Sequence, residues 1–142
     1  MATTMFGLER FISAQEHVFA QVLSELTAGR KTSHWMWFVF PQLLGLGHSA
    51  MAAKYGLKSA GEALAYWQHP VLGERLRECT ELVLAVENKS AHDVFGSPDD
   101  MKLRSCWTLF DVVTEHALFE RALTRLYGGG RDETTLGLLS RR

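Results

Sequence analysis

Cysteine is scarce in this sequence. The 142 residues include two, Cys79 and Cys106, which lie far apart and within apolar-periodic stretches. Such cysteines are typical of buried thiols in a reducing compartment, and a chain of this length forms a core without disulfides. We therefore expect both thiols to be free and buried and the protein to be cytoplasmic.

An excess of charge of one sign is also lacking. The 15 Lys and Arg residues are balanced by 16 Asp and Glu residues, so the formal net charge is −1. Nucleic-acid binders usually carry a global basic excess, and we expect no nucleic-acid partner. No apolar run reaches the roughly 18 residues of a membrane span. Residues 1–20 lack a basic region followed by an apolar one, so neither a membrane partner nor a signal peptide is expected.

The motifs of well-known catalytic and metal sites are missing as well. The chain contains no His-Glu-x-x-His, no paired Cys-x-x-Cys, no Gly-x-Ser-x-Gly and no Walker loop. The turn Gly45-Leu46-Gly47 lacks the third glycine and the preceding strand of a dinucleotide-binding loop. We therefore predict no metal and no cofactor. The sequence specifies no reaction, and both an enzyme and a binding protein are compatible with it.

Helical periodicity and helix-capping residues are abundant. Apolar residues recur at three-four spacing over residues 7–27, 70–88 and 117–127, which predicts one amphipathic helix in each range. Capping residues and helix-starting prolines predict further helices, and these begin near residues 33, 49, 59, 90, 97 and 132. Only residues 34–40 alternate like a strand, and because no partner strand is evident we interpret them as a helical turn or a buried extended piece, which Ser33 could cap and which ends at residue 40. The prediction is an all-α single domain over residues 1–142, with an ordered core of about 7–139 and about six to eight orthogonally packed helices.

The first candidate site combines cations with aromatic rings. Arg30, Lys31 and His34 lie directly before residues 35–40, which hold four of the 15 aromatic side chains. Trp faces can stack on a planar ring, while Arg and Lys can hold a phosphate or carboxylate. Such a segment suits a nucleotide-like or sugar-phosphate ligand. The alternative is that the aromatics belong to the core and the cations form a solvated helix end.

The second candidate lies in the helix predicted after residue 98. Lys102 and Arg104 could hold an anionic ligand, and Ser105 and Thr108 are poor mid-helix residues that favour contact with something polar. The alternative is a surface with i,i+4 pairs, such as Asp100 with Arg104.

Three further residues are candidates for proton transfer. His34 is one of them, because histidine as a residue type can gain and lose a proton near neutral pH. Asp99 and Asp132 each begin a helix beside a turn containing glycine, although a capping role is favoured for both.

Gly73 stands early in a predicted helix, where glycine is unfavourable, so we expect another chain segment to approach it closely.

Several blocks of sequence together resemble one family. They extend from about residue 7 to residue 139, and the block His34-Trp35-Met36-Trp37-Phe38-Val39-Phe40-Pro41-Gln42 is long and unusual. The other main blocks are Gly29-Arg30-Lys31, His69-Pro70, Leu72-Gly73, Phe95-Gly96, Asp99-Asp100 and Lys102-Leu103-Arg104-Ser105. The chain is similar to the bacterial family catalogued as domain of unknown function 1810. The resemblance implies a mainly helical cytosolic domain and implies no activity. Some members carry the label calpastatin, a polar disordered inhibitor, which does not fit a chain with a full core.

Two functional hypotheses follow. In the first, the blocks converge on a pocket for a phosphorylated or nucleoside-like small molecule, with His34 or Asp99 as the catalytic group if a reaction occurs. The ligand-binding candidates are Arg30, Lys31, Trp35, Trp37, Gln42, Lys102, Arg104 and Ser105. In the alternative, the protein is a non-catalytic interaction domain that exposes residues 34–40 as an apolar patch.

Overall fold

The computed structural model describes residues 7–141, and helices dominate this part of the chain. Ten helices occur within it. They are α1 (Glu9–Glu16), α2 (Phe19–Ala28), α3 (Met36–Val39), α4 (Ala50–Tyr55), α5 (Ala60–Gln68), α6 (Leu72–Ala85), α7 (Ala91–Phe95), α8 (Asp99–Thr114), α9 (Ala117–Tyr127) and α10 (Glu133–Ser140). No strand forms between residues 7 and 141, where an isolated parallel bridge joins Leu43 to Leu57. The all-α prediction is confirmed, and the predicted number of six to eight helices, several of them short, is approximately right, since seven of the ten have eight or more residues.

The predicted capping residues begin four of these helices. Ser49, Ser59, Ser90 and Asp132 each accept a hydrogen bond from the backbone N–H three residues later, which satisfies a donor that the helix itself leaves free. Gly29 ends α2 in the left-handed conformation, with φ of 72°. These short-range expectations are confirmed.

The single helix predicted over residues 7–27 is wrong, because the chain breaks at residues 17–18. Val18 leaves the helical conformation, with φ of −124° and ψ of −5°. The break changes the direction of the chain, so that Phe11 and Gln15 of α1 and Leu26 of α2 are all buried. Residues turned inward on both halves satisfy the three-four spacing as well as one continuous helix does.

Two helices begin later in the structure than the sequence predicts. The short element predicted to start at Ser33 does end at Phe40. Ser33 does not cap α3, which begins at Met36. Its hydroxyl instead donates to Glu25 at 2.6 Å. Helix α8 begins one residue later than Ser97 suggests, with Pro98 at the capping position and no side-chain cap.

Helix α8 lies at the centre of the fold. It packs against α5, α7, α9 and α10, and eight of its 16 residues are buried. Its inner face carries Trp107 and Phe110, both fully withdrawn from solvent. Side chains that α8 directs outward therefore have a fixed position relative to four neighbouring helices.

Three buried positions follow the sequence predictions. Cys79 and Cys106 are free and buried, and burial, with a smaller contribution from Glu78, raises the pKa of the Cys79 thiol to about 12. Gly73 has another segment directly against it, because a Cβ atom there would lie 1.9 Å from the carbonyl oxygen of Trp67.

Between residues 7 and 141, no helix combines the length and the apolar character needed to cross a membrane.

Candidate functional site

The loop that precedes the aromatic segment is organised around Glu25 of α2. Its Oε1 atom accepts hydrogen bonds from the backbone N–H groups of Thr32 and Ser33, at 2.8 and 3.1 Å, and from the Trp35 indole at 2.9 Å. Its Oε2 atom accepts from the Ser33 hydroxyl and from Gln21. Burial alone would raise the pKa of the Glu25 carboxyl, but these hydrogen bonds hold it well below the ordinary range.

The aromatic segment is mostly core. Five of the seven residues in 34–40 are buried, and these are Trp35, Met36, Phe38, Val39 and Phe40. Trp35 is 1% exposed and packs against the rings of Phe40 and Phe95. Its faces are therefore not available to stack on a ligand, and residues 34–40 do not form the exposed apolar patch that the interaction hypothesis needs. Trp37 is half-buried.

Lys31 turns inward and serves as a structural cation. Its Nζ atom donates to the carbonyl oxygen of Ser33 at 2.6 Å and lies 2.8 Å from Oδ2 of Asp99. The same ammonium group is 4.9 Å from the centre of the Trp35 ring. With 6% of its side chain exposed, Lys31 connects the loop after α2 to the start of α8.

Asp99 connects the two clusters of cations that the sequence contains. In addition to Lys31 it pairs with Lys102, whose Nζ atom lies 3.7 Å from Oδ1 of Asp99 and 5.0 Å from the centre of the Trp37 ring. The side chains of Arg30 and His34 are exposed and make no hydrogen bond or ion pair within residues 7–141. The convergence predicted for the two cationic blocks therefore involves Lys31 and Lys102.

Arg104 points away from this cluster and holds the loop between α9 and α10. Its Nε atom donates to the carbonyl oxygen of Gly130 at 3.0 Å, and Nη2 donates to that of Arg131 at 2.9 Å. The i,i+4 pair weighed for Asp100 and Arg104 does not form. Asp100 instead lies 3.2 Å from Nδ1 of His92.

A cleft of about 300 Å³ lies next to Lys102. Its walls come from the segment after α3, the outer face of α8 and the start of α10. The lining residues are Gln42, Leu46, Gly47, Pro98, Met101, Lys102, Ser105, Asp132 and Thr134. Lys102 and Ser105 share one face of α8 because they stand three residues apart.

The cleft brings together an ammonium group, an amide, two hydroxyls and a carboxylate beside apolar surface. We call it the α8 cleft. Of the residues predicted from the sequence, Gln42, Lys102 and Ser105 line it, and Asp99 contacts it through Lys102. His34 and Arg104, which were expected to share a cleft with Lys102, are not among its lining residues. Such a mixture of polar and apolar groups is typical of small-molecule sites.

Asp132 lines the α8 cleft, and Thr108 of α8 holds the backbone of Asp132 in place. Asp132 was assigned mainly a capping role, and the glycine triplet before it was the available signal for an irregular, functional turn. Thr108 was expected to meet something polar, and its Oγ1 atom accepts the backbone N–H of Asp132 at 2.9 Å.

A larger depression, of about 500 Å³, lies on the exposed face of α6. It is lined by Glu74, Arg77, Glu78, Glu81 and Leu82. Its one cation, Arg77, is paired with both Glu74 and Glu81. The remaining charge is acidic, so this surface suits an anionic ligand poorly. No group of three or more His, Cys, Asp or Glu side chains suited to a metal ion occurs among residues 7–141.

Comparison with known proteins gives one family and one solved structure. The family model described as "Protein of unknown function (DUF1810)" matches residues 5–139. The crystal structure of the conserved hypothetical protein Rv1873 from Mycobacterium tuberculosis is similar to this chain, with 51% sequence identity and a TM-score of 0.94. The match covers 95% of this chain and 97% of that one. None of the curated proteins is significantly similar.

Proposed function

The chain belongs to the DUF1810 family, whose description assigns no activity, and we propose that it binds a small phosphorylated or nucleoside-like molecule in the α8 cleft. The observation that carries the proposal is the convergence of Gln42, Lys102 and Ser105 on one cleft from segments about 60 residues apart in the chain. Ligand sites typically combine apolar walls with a small number of convergent polar groups.

Each polar group has a distinct role in this proposal. Lys102 holds the anionic group of the ligand, since its side chain is a quarter exposed and its pairing with Asp99, at 3.7 Å, is long. The Gln42 amide and the Ser105 hydroxyl hydrogen-bond to neutral polar groups. Leu46 and Met101 supply apolar surface, and Met101 is 54% exposed at the edge of the cleft.

The proposal is one of binding, without an assigned reaction. Asp99 is engaged by both Lys31 and Lys102, which disfavours it as a general base. His34 lies outside the α8 cleft, so it would not reach a ligand bound there.

The test is a thermal-shift screen with nucleoside monophosphates, sugar phosphates and inorganic phosphate. A ligand at a hundred times its Kd adds about 2.7 kcal/mol to the free energy of unfolding, which raises the Tm of a domain of this size by several degrees. Lys102→Met should reduce the shift strongly, because methionine keeps apolar packing on Trp37 and removes the charge.

The matched control for Lys102 is Lys54, which also lies over an aromatic ring, 5.3 Å from the centre of Tyr55. Lys54→Met removes an equivalent surface cation away from the α8 cleft and should leave every shift unchanged. A panel in which no probe raises the Tm would reject the proposal. So would a Lys102→Met variant that responds as strongly as the wild type.

A further inference from the structure

Asp132 uses one carboxylate oxygen for the fold, and the residue also lines the α8 cleft. Its Oδ2 atom caps α10 by accepting from the backbone N–H of Thr135 at 2.9 Å and from the Thr135 hydroxyl at 2.5 Å. Within residues 7–141, no hydrogen bond or ion pair engages Oδ1. Helix capping therefore uses Oδ2 alone. Because Asp132 lines the cleft, Oδ1 remains as an acceptor for a ligand.

The backbone that carries Asp132 is fixed from α8. Thr108 accepts the Asp132 N–H at 2.9 Å, and Arg104 donates to the two preceding carbonyl groups, those of Gly130 and Arg131. The Arg131 side chain in turn donates to Asp111 of α8, with an Nε to Oδ2 distance of 2.8 Å. Asp132 is therefore held in a fixed relation to Lys102 and Ser105, as a preorganised binding group requires.

We propose that Asp132 determines the specificity of the α8 cleft by accepting hydrogen bonds from hydroxyl groups of a phosphorylated ligand. A carboxylate only accepts hydrogen bonds, and it repels a bare phosphate. The ligand therefore presents its anionic group to Lys102 and hydroxyl donors to Asp132. This inference rests on the proposed function and narrows its ligand class to phosphorylated molecules with free adjacent hydroxyls, such as a ribose phosphate unit.

The size of the cleft agrees with this ligand class. Ligand sites range from about 300 to 1,000 Å³, and the α8 cleft, at about 300 Å³, lies at the lower end. A ribose phosphate unit is of the right order for such a volume, whereas a complete dinucleotide is too large. Carboxylates also recognise ribose hydroxyls in dinucleotide-binding folds.

The test compares ligands that differ in their hydroxyl groups alone. Adenosine 5′-monophosphate and 2′,3′-dideoxyadenosine 5′-monophosphate share base and phosphate, and titration calorimetry measures the Kd of each. The wild type should bind the hydroxyl-bearing nucleotide at least tenfold more tightly. Asp132→Asn should remove this preference, because asparagine caps a helix equally well but places a donor where Oδ1 stood.

A second capping residue separates binding from stability. Ser90→Ala removes the cap of α7 and should lower the Tm while leaving both Kd values unchanged. Equal affinity of the wild type for the two nucleotides, or an Asp132→Asn variant that keeps the preference, would overturn the role of Asp132. In either case a loss of binding of both nucleotides in Lys102→Met would still support the proposed function. If neither nucleotide nor any other phosphorylated probe binds the wild type, both proposals fail.

Discussion

The Nζ atom of Lys31 lies 2.8 Å from the Oδ2 atom of Asp99, and this pair joins the loop after α2 to the start of α8. The Lys31 side chain is 6% exposed and that of Asp99 is 20% exposed. Removing one partner would leave the other charge partly desolvated, which is more costly than losing a surface ion pair.

Lys31→Met should therefore lower the free energy of unfolding by about 1.5–3 kcal/mol, the usual contribution of a hydrogen bond to a charged group. Urea denaturation at pH 7 measures this change. Lys54→Met, which removes an exposed lysine, should change it by less than about 0.5 kcal/mol. A similar small effect for both variants would mean that the Lys31–Asp99 pair does not stabilise the fold.

Glu25 should make the stability depend on pH. Its pKa is held below the ordinary range in the folded state, so its contribution is complete above the unfolded pKa of about 4.3 and is lost as the pH falls below that value. Glu25→Gln should cost at least about 2 kcal/mol at pH 7, because it replaces one of the two acceptor oxygens by a donor and turns charge-assisted hydrogen bonds into neutral ones. The difference from the wild type should shrink as the pH falls from 5 to 3.

Urea unfolding curves at several pH values check the Glu25 prediction. The exposed residue Glu87 provides the control, since Glu87→Gln changes the same charge without removing a buried acceptor. A penalty for Glu25→Gln that stays constant from pH 7 to pH 3 would contradict the role given to the carboxylate.

Two glycine substitutions should have opposite effects. At Gly73 a Cβ atom would lie 1.9 Å from the Trp67 carbonyl oxygen, so Gly73→Ala forces the backbone apart and should cost about 1–3 kcal/mol or more. At Gly137 in α10 a Cβ atom meets nothing within 4 Å, so Gly137→Ala should add up to about 1 kcal/mol through helix propensity. Thermal unfolding of the two variants measures whether each substitution lowers or raises the stability. A change in the same direction for both would refute the packing argument.

Thr108 and Thr80 form a matched pair of buried threonines. Thr108 accepts the backbone N–H of Asp132, and Thr80 accepts the indole N–H of Trp107 at 3.2 Å. Substitution of either by valine leaves a buried donor unpaired and should cost about 1–3 kcal/mol. Thr108→Val alone should also weaken the binding of adenosine 5′-monophosphate, because it releases the loop that carries Asp132. Equal affinities in the two variants would argue against this positioning role.

The sequence predicts features that depend on neighbouring residues and misses those that depend on distant ones. The capping box of Ser90 and Asp93 and the cap at Asp132 are read correctly because each is complete within four residues. The break at residues 17–18 was missed because it depends on how α1 and α2 meet the core. The spacing of their apolar residues does not reveal it.

The candidate site shows the same division. Gln42, Lys102 and Ser105 were named from local chemistry and do line one cleft. The burial of Trp35 agrees with the alternative in which the aromatics belong to the core, whereas its hydrogen bond to Glu25 joins positions ten residues apart that no local pattern links. The ion pair between Lys31 and Asp99 joins positions 68 residues apart in the chain, and no local sequence pattern predicts it.

The two sides of the α8 cleft differ in how firmly they are held by the core. Helix α8 has eight buried residues, whereas Thr135 is the one buried residue of α10. Segments with few buried contacts open by local unfolding at a lower free energy than the core does. Amide hydrogens of α10 should therefore exchange sooner than those of α8. A ligand that bridges Lys102 and Asp132 would slow the exchange of α10, linking occupancy of the cleft to the local stability of one helix.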